Sequence, residues 1–274
     1  MGVLKLKMYQ VDAFASAVFG GNPAAVCILE DWIADETMQR IAEENNLAET
    51  AYAVYNNGVY DIRWFTPEEE VDLCGHATLA TSYVLFNHET KHLSEATKNN
   101  ALQLHSHRSG PLSVVKKGDD LYELNFPVDD LKQSDFNLSH TEVLVGCKAI
   151  KAFEGKTDLM LIYETEDQIR SLQPNFFEID KIKVRGIICS APGDNVDFVS
   201  RFFAPQCGVP EDPATGSAHT TLTPYWAEQF GKTQLSAQQL SKRVGNFECT
   251  LLEDRVLIRG KAFCYLIGEI YVPQ

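Results

Sequence analysis

Residues 61–77 read DIRWFTPEEEVDLCGHA, and residues 197–218 read DFVSRFFAPQCGVPEDPATGSA. Arg63-Trp64-Phe65-Thr66-Pro67 lines up with Arg201-Phe202-Phe203-Ala204-Pro205. Gly75-His76-Ala77 lines up with Gly216-Ser217-Ala218, the second stretch being three residues longer between the two matches. Further on, Arg108-Ser109-Gly110-Pro111-Leu112 lines up with Arg243-Val244-Gly245-Asn246-Phe247. One five-residue match carries no weight, but three in the same order do. They predict two copies of one domain, residues 1–127 and 128–274, with the break at Pro127-Val128-Asp129-Asp130.

Local patterns agree with a mixed architecture. YQVDAF and AAVCIL flank FGGNP, which reads as strand, turn, strand. ADETMQRIAEENN puts Met38, Ile41 and Ala42 on one helical face, with Asp35 as N-cap. Asn56-Asn57-Gly58 supplies the positive-φ residues of a hairpin turn. Thr165 and Gln168 have capping-box spacing. HATLATSYVLF is apolar around most of its circumference, which predicts a helix buried on all sides. In the matching run SAHTTLTPYWAEQF, Pro224 should kink or delay the helix.

The chain has 274 residues, long enough for one large domain or two of ordinary size, and 45% of them are hydrophobic, which supports a full core. Its net charge of −14 repels nucleic acid and anionic membrane, which both demand clustered Lys and Arg. No apolar run approaches the roughly 18–20 residues of a membrane span, and no Arg-led leader opens the chain. Seven scattered cysteines with no C-x-x-C pair argue against a disulfide framework. A soluble, cytoplasmic protein is expected.

The chemistry candidates cluster at the two echoes. Cys74 and His76 sit two apart, a spacing that on a helix turns side chains away from each other, so a thiol–imidazole dyad is not expected. His105 and His107 have no companions at zinc spacing, and no metal is expected. Glycines Gly75 and Gly216 open two helices whose first N–H groups favour an anion, so a carboxylate-bearing small molecule is the expected ligand. Glu49, in NNLAETAYAV, leads into an uncharged strand, where a carboxylate held out of water suits general acid/base work or sits simply as a strand-end charge. EDPATGSAH gathers Asp212, Ser217 and His219, too close along one helix start for a relay triad; Asp212 or Thr215 could equally cap that helix.

Together, VDAFASAVFGGNPAAVCIL, NNLAETAYAV, IRWFTPEEEVDLCGHATLATSYVLF, VRGIICSAP and SRFFAPQCGVPEDPATGSAH resemble the phenazine biosynthesis PhzF-like family, in order from residue 9 to residue 219. The resemblance implies the α+β fold of diaminopimelate epimerase: two similar, pseudo-twofold-related domains, each a curled, mostly antiparallel, barrel-like sheet around a central helix, with the active site in the cleft between them. It implies a cofactor-free isomerase that moves a proton on a small carboxylated substrate, and suggests a homodimer. By residue, it places the acid/base on Glu49, further catalytic groups on His76 and Asp212, and substrate contacts on Gly75, Gly216 and Ser217. Related epimerases and proline racemases use one thiol from each half. Here Cys74 precedes Gly75, but Thr215 precedes Gly216, so a two-thiol racemase lacks its second base unless Cys207 supplies it. A non-catalytic small-molecule binder and a Cys74 thiol hydrolase are the rival readings.

Overall fold

The computed structural model describes residues 2–273. The chain divides into two compact units: one of residues up to Asn125 joined by residues from Arg259 onward, and one of Phe126–Ile258.

In the first unit, strands β1 (Val3–Ala13), β2 (Asn22–Leu29), β3 (Glu49–Asn56), β4 (Val59–Phe65), β5 (Ala101–Ser106), β6 (Gly110–Gly118) and β7 (Leu121–Pro127) join the C-terminal strand Arg255–Pro273. β1 and β2 are antiparallel, β2 and β3 parallel, β3 and β4 antiparallel, and β4 and β5 parallel. β5, β6 and β7 follow as antiparallel neighbours. The C-terminal strand pairs with β7 and, antiparallel, with β1 from Ala262 to Pro273, which closes an eight-stranded barrel. From Arg259 onward the last strand therefore belongs with the first unit, although the expected boundary at residues 127/128 counts it with the second half. Nothing in its sequence echoes elsewhere, so self-similarity carries no signal of that return.

The two parallel steps each need a crossover. Helix α1 (Asp35–Asn45) makes the first and buries the predicted Met38, Ile41 and Ala42. Its N-cap is Ala34, not Asp35; Asp35 is the first helical residue, and its carboxylate accepts a hydrogen bond from Arg63 at 2.8 Å instead. Helix α2 (Gly75–Asn87) lies in the second and packs on β1, β2 and β3. Every residue from Gly75 to Ser82 is buried. The hydroxyls of Thr81 and Ser82 donate to the carbonyls of Ala77 and Thr78 at 2.8 Å, so these polar residues enter the core with their protons satisfied. The β3–β4 hairpin turns on Asn57 and Gly58 at φ 48° and 90°, as expected.

The second unit repeats these steps. Strands β8 (Lys151–Glu154), β9 (Asp158–Ile162), β10 (Gly186–Pro192), β11 (Phe198–Ala204), β12 (Gln234–Gln239) and β13 (Gly245–Leu251) pair in the same alternation: antiparallel, parallel, antiparallel, parallel, antiparallel. A short strand follows the fourth member of each series, Glu70–Val71 on β4 and Val209–Asp212 on β11. Helix α3 (Glu166–Ser171) starts with the predicted capping box of Thr165 and Gln168. Helix α4 (Ala218–Phe230) runs unbroken through Pro224. The ring nitrogen of Pro224 leaves the Thr220 carbonyl without its helical donor, and the Asp129 N–H takes that carbonyl at 3.3 Å. The helix is sustained by a replacement bond from outside it.

All seven cysteines are free thiols. No helix among the described residues is long and apolar enough to cross a membrane.

Candidate active site

The first unit brings Glu49 and His76 together. Glu49 opens β3, His76 is the second residue of α2, and Glu49 Oε2 lies 2.9 Å from His76 Nε2. The Glu49 side chain is 15% exposed and that of His76 5%. Neither of these two facing atoms makes an aligned hydrogen bond to any described group. A buried carboxylate facing a buried imidazole at ion-pair distance is a place where a proton can be shared. Gly75, buried before His76, forms the helix start itself.

On its other side, His76 Nδ1 meets the side-chain nitrogen of Asn22 at 3.1 Å and the Cys74 sulfur at 3.4 Å. The Cys74–His76 contact corrects the spacing argument above. Cys74 is the N-cap, extended at φ −136° and ψ 115°, so helical geometry does not govern where its side chain points. Burial, with the Glu49 charge beside it, pushes the Cys74 thiol up to about 11, so it stays protonated at neutral pH and is a poor nucleophile. Burial opposes charge on His76, but the Glu49 carboxylate 2.9 Å away favours it and holds the imidazole above its usual range.

Glu49, Cys74 and His76 place three metal-capable atoms within 4.8 Å of one another. The imidazole ring nevertheless separates the other two, with the thiol at Nδ1 and the carboxylate at Nε2. One ion binds one ring nitrogen, so it would reach at most two of the three donors. His105 and His107 instead face Asp61 at 3.1 Å and Glu70 at 3.7 Å, in a shallow cleft shared with Trp32, Asp35 and Arg63. That cleft contains none of the residues around Glu49.

In the second unit, Asp212 ends its short strand and accepts a hydrogen bond from the Thr215 hydroxyl. The buried Gln239 braces this turn: its amide donates to the Asp212 carbonyl at 2.6 Å and accepts from the Thr215 N–H at 2.8 Å. Gly216 and Ser217 lead into α4, and the Gly216 carbonyl takes the His219 N–H at 3.1 Å. Ser217 Oγ accepts from Arg185 Nη1 at 3.1 Å, and Arg185 is held by both carboxylate oxygens of the buried Asp158. His219 does not join Asp212 or Ser217; its Nδ1 meets the Thr215 carbonyl at 2.9 Å. Burial lowers His219 to about 4, which leaves it a neutral, packed ring stacked on Phe247 at 3.7 Å.

Four residues at these clusters escaped the sequence reading: Asn22, Asp158, Arg185 and Gln239. Asn22 stands in FGGNP, which reads as turn punctuation. The turn is in fact tightly wound: Gly21 sits at φ 59°, and a Cβ there would come within 2.1 Å of the Ala13 carbonyl oxygen. A lone polar residue after two glycines was the available signal. Arg185 is a charge entering the buried strand GIICSAP, a cue of the same kind.

Known proteins corroborate the architecture. The sequence pattern of phenazine biosynthesis-like proteins, PhzC-PhzF, matches residues 11–268. An uncharacterised isomerase of Pseudomonas aeruginosa is 45% identical over 270 residues, spanning 98% of this chain and 100% of the relative. The crystal structure of a PhzF-family phenazine biosynthesis protein from Enterococcus faecalis matches with a TM-score of 0.91 at 43% identity, over 98% of this chain and 100% of that one. A hydroxyproline epimerase of Agrobacterium vitis, only 10% identical, shares the fold at a TM-score of 0.62, over 98% of this chain and 93% of that one. The epimerase-like α+β fold expected from the sequence is the fold of this protein. The chain belongs to the phenazine biosynthesis-like PhzC-PhzF family.

Proposed function

We propose that this protein is a cofactor-independent isomerase that moves a proton on a small carboxylate-bearing substrate, with Glu49 as the general acid/base. The observation that carries the reading is the 2.9 Å approach of Glu49 Oε2 to His76 Nε2, both atoms buried and without an aligned hydrogen bond. A carboxylate so placed can take a proton from carbon, while the electron pair of that C–H bond enters an adjacent conjugated system. Returning the proton to a different carbon completes the reaction with no net oxidation. His76 holds the carboxylate in place and can share its proton. Asp212 is assigned as a further proton-handling group, and Gly75, Gly216 and Ser217 to the substrate's carboxylate.

The names of relatives as isomerases support this class of chemistry. Inversion by two thiols is disfavoured: Cys74 is held protonated, and its repeat partner is Thr215. Incubating a panel of small unsaturated carboxylates with the protein in heavy water, and reading deuterium uptake by NMR, tests the proposal. Glu49→Gln should reduce exchange by about 10²–10⁴-fold, the range of a positioned acid/base. Undiminished exchange in that variant refutes the assignment.

A further inference from the structure

The duplicated fold lets corresponding positions of the two units be compared. Phe65 pairs with Thr50, and Phe203, its echo, pairs with Ile187. Counting back one residue from each, Glu49 corresponds to Gly186, which Arg185 immediately precedes. The other partner corresponds as well, because Gly75-His76 echoes Gly216-Ser217. Arg185 thus stands one residue ahead of the Glu49 position, yet in each unit a side chain at the strand entry reaches the residue after the glycine of the helix start. In the first unit the pair is a carboxylate on an imidazole, Glu49 and His76. In the second it is a guanidinium on a hydroxyl, Arg185 and Ser217.

The second pair has a definite polarity. Arg185 can only donate, so Ser217 Oγ accepts from it and the hydroxyl proton remains to be given elsewhere. Among the described residues the Arg185 contact is the one hydrogen bond of Ser217 Oγ, so the proton is left to give. Asp158, nearly fully buried, holds Arg185 through Nε at 2.8 Å and through Nη2, which fixes the direction of the remaining Nη1 arm. The Phe202 ring lies 5.4 Å from the guanidinium carbon and supports it. A hydroxyl polarised by a cation and turned outward as a donor, at the start of a 13-residue helix, fits an anionic group.

We infer that Arg185 is a positioning residue for the ligand's carboxylate: held by Asp158, it fixes Ser217 as the hydrogen-bond donor that receives that group. This rests on the carboxylate-isomerase reading above, and it extends that reading by naming the residue that positions the hydroxyl which meets the carboxylate.

The test uses acetate, the smallest carboxylate, titrated into the full-length protein, with the amide resonances of Gly216, Ser217 and Ala218 as the readout. Wild type should show saturable shifts there. Arg185→Lys keeps the charge but loses the fork, and should weaken acetate binding by about tenfold, as should Ser217→Ala. The double variant should bind no worse than either single one, because both remove the same interaction. A purely structural role for Arg185 would instead make the two losses multiply. If Arg185→Lys fails to fold, Asp158→Asn loosens the same fork and should weaken acetate several-fold. Absent shifts in wild type, an unchanged affinity in the arginine variant, or multiplying losses would each overturn the inference. The readout needs no turnover, so it stays separate from the Glu49 exchange experiment: acetate held through Arg185 by a protein that exchanges no proton would refute the isomerase and leave this assignment standing.

Discussion

Arg63 grips both carboxylate oxygens of Glu70, Nε to Oε1 and Nη2 to Oε2 at 2.8 Å each, with side chains only 14% and 11% exposed. Arg201 grips Glu211 in the same bidentate way, at 2.7 and 2.9 Å. The two arginines head the matching motifs, and the two glutamates stand the same distance before Gly75 and Gly216. Each clamp ties a long strand to the loop that delivers a buried helix start. The extra residues of the second copy fall inside the loop, so the clamp survives the insertion.

Breaking the first clamp should be felt throughout its unit. Glu70→Ala leaves a mostly buried guanidinium with fewer partners and should cost about 1–3 kcal/mol in urea unfolding. The Arg63 hydrogen bonds hold the Glu70 carboxyl below its ordinary 4.5. Its folded value lies below its unfolded one, so its contribution is full above about 4.5 and is lost as pH falls through the folded value. The variant's stability should therefore decline less than that of wild type below pH 4.5. Parallel acid profiles would show that the clamp contributes nothing by charge.

His219 predicts a second pH effect at higher pH. Burial lowers it from 6.5 to about 4, so the unfolded chain takes up a proton that the folded chain refuses. Stability from this residue is complete above 6.5 and is withdrawn as pH falls towards about 4. The loss should be on the order of 3 kcal/mol. His219→Gln should flatten the unfolding free energy between those limits, whatever its effect at pH 8. An unchanged slope would mean that His219 titrates elsewhere.

The thiols separate by access. Cys207 is exposed, whereas Cys74 is buried and held up to about 11. Iodoacetamide at pH 7.5 should therefore label Cys207 at least tenfold faster than Cys74, as read by peptide mass spectrometry. Cys74→Ala should retain most of the Glu49-dependent proton exchange. Prompt labelling of Cys74 together with loss of exchange would revive the thiol mechanism.

Much of this architecture was legible because duplication writes the same physical demand twice. The Arg–Glu clamp, the glycine at each helix start and the buried helices all leave local residue patterns. Glu49 and His76 were legible as candidates, but their contact was not, since it joins a strand start to a helix start 27 residues on. The Cys74–His76 contact was misjudged because an N-cap is not yet helical. Asn22 and Arg185 were hidden for a related reason: each acts across a strand pairing or a turn, and a single polar residue in an apolar run has no periodicity to reveal it.

Pro224 provides the last prediction, because what compensates for it lies outside its helix. The Thr220 carbonyl it orphans is taken by the Asp129 N–H at 3.3 Å, and the Asp129 side chain accepts from the Thr221 hydroxyl at 2.8 Å and from the Lys156 N–H at 3.0 Å. One residue thus joins the chain entering the second unit, the β8–β9 turn and the first turn of α4. Asp129→Ala keeps the main-chain donor but removes the two side-chain acceptors that anchor it, and should destabilise by about 1–3 kcal/mol. Adding Pro224→Ala restores a helical donor to Thr220, and should recover about 1 kcal/mol or more of that loss. Hydrogen exchange localises the effect: amides of α4 should lose protection in Asp129→Ala and regain part of it in the double variant. If protection in α4 is untouched by Asp129→Ala, the Asp129 side chain is not what holds its N–H on the Thr220 carbonyl.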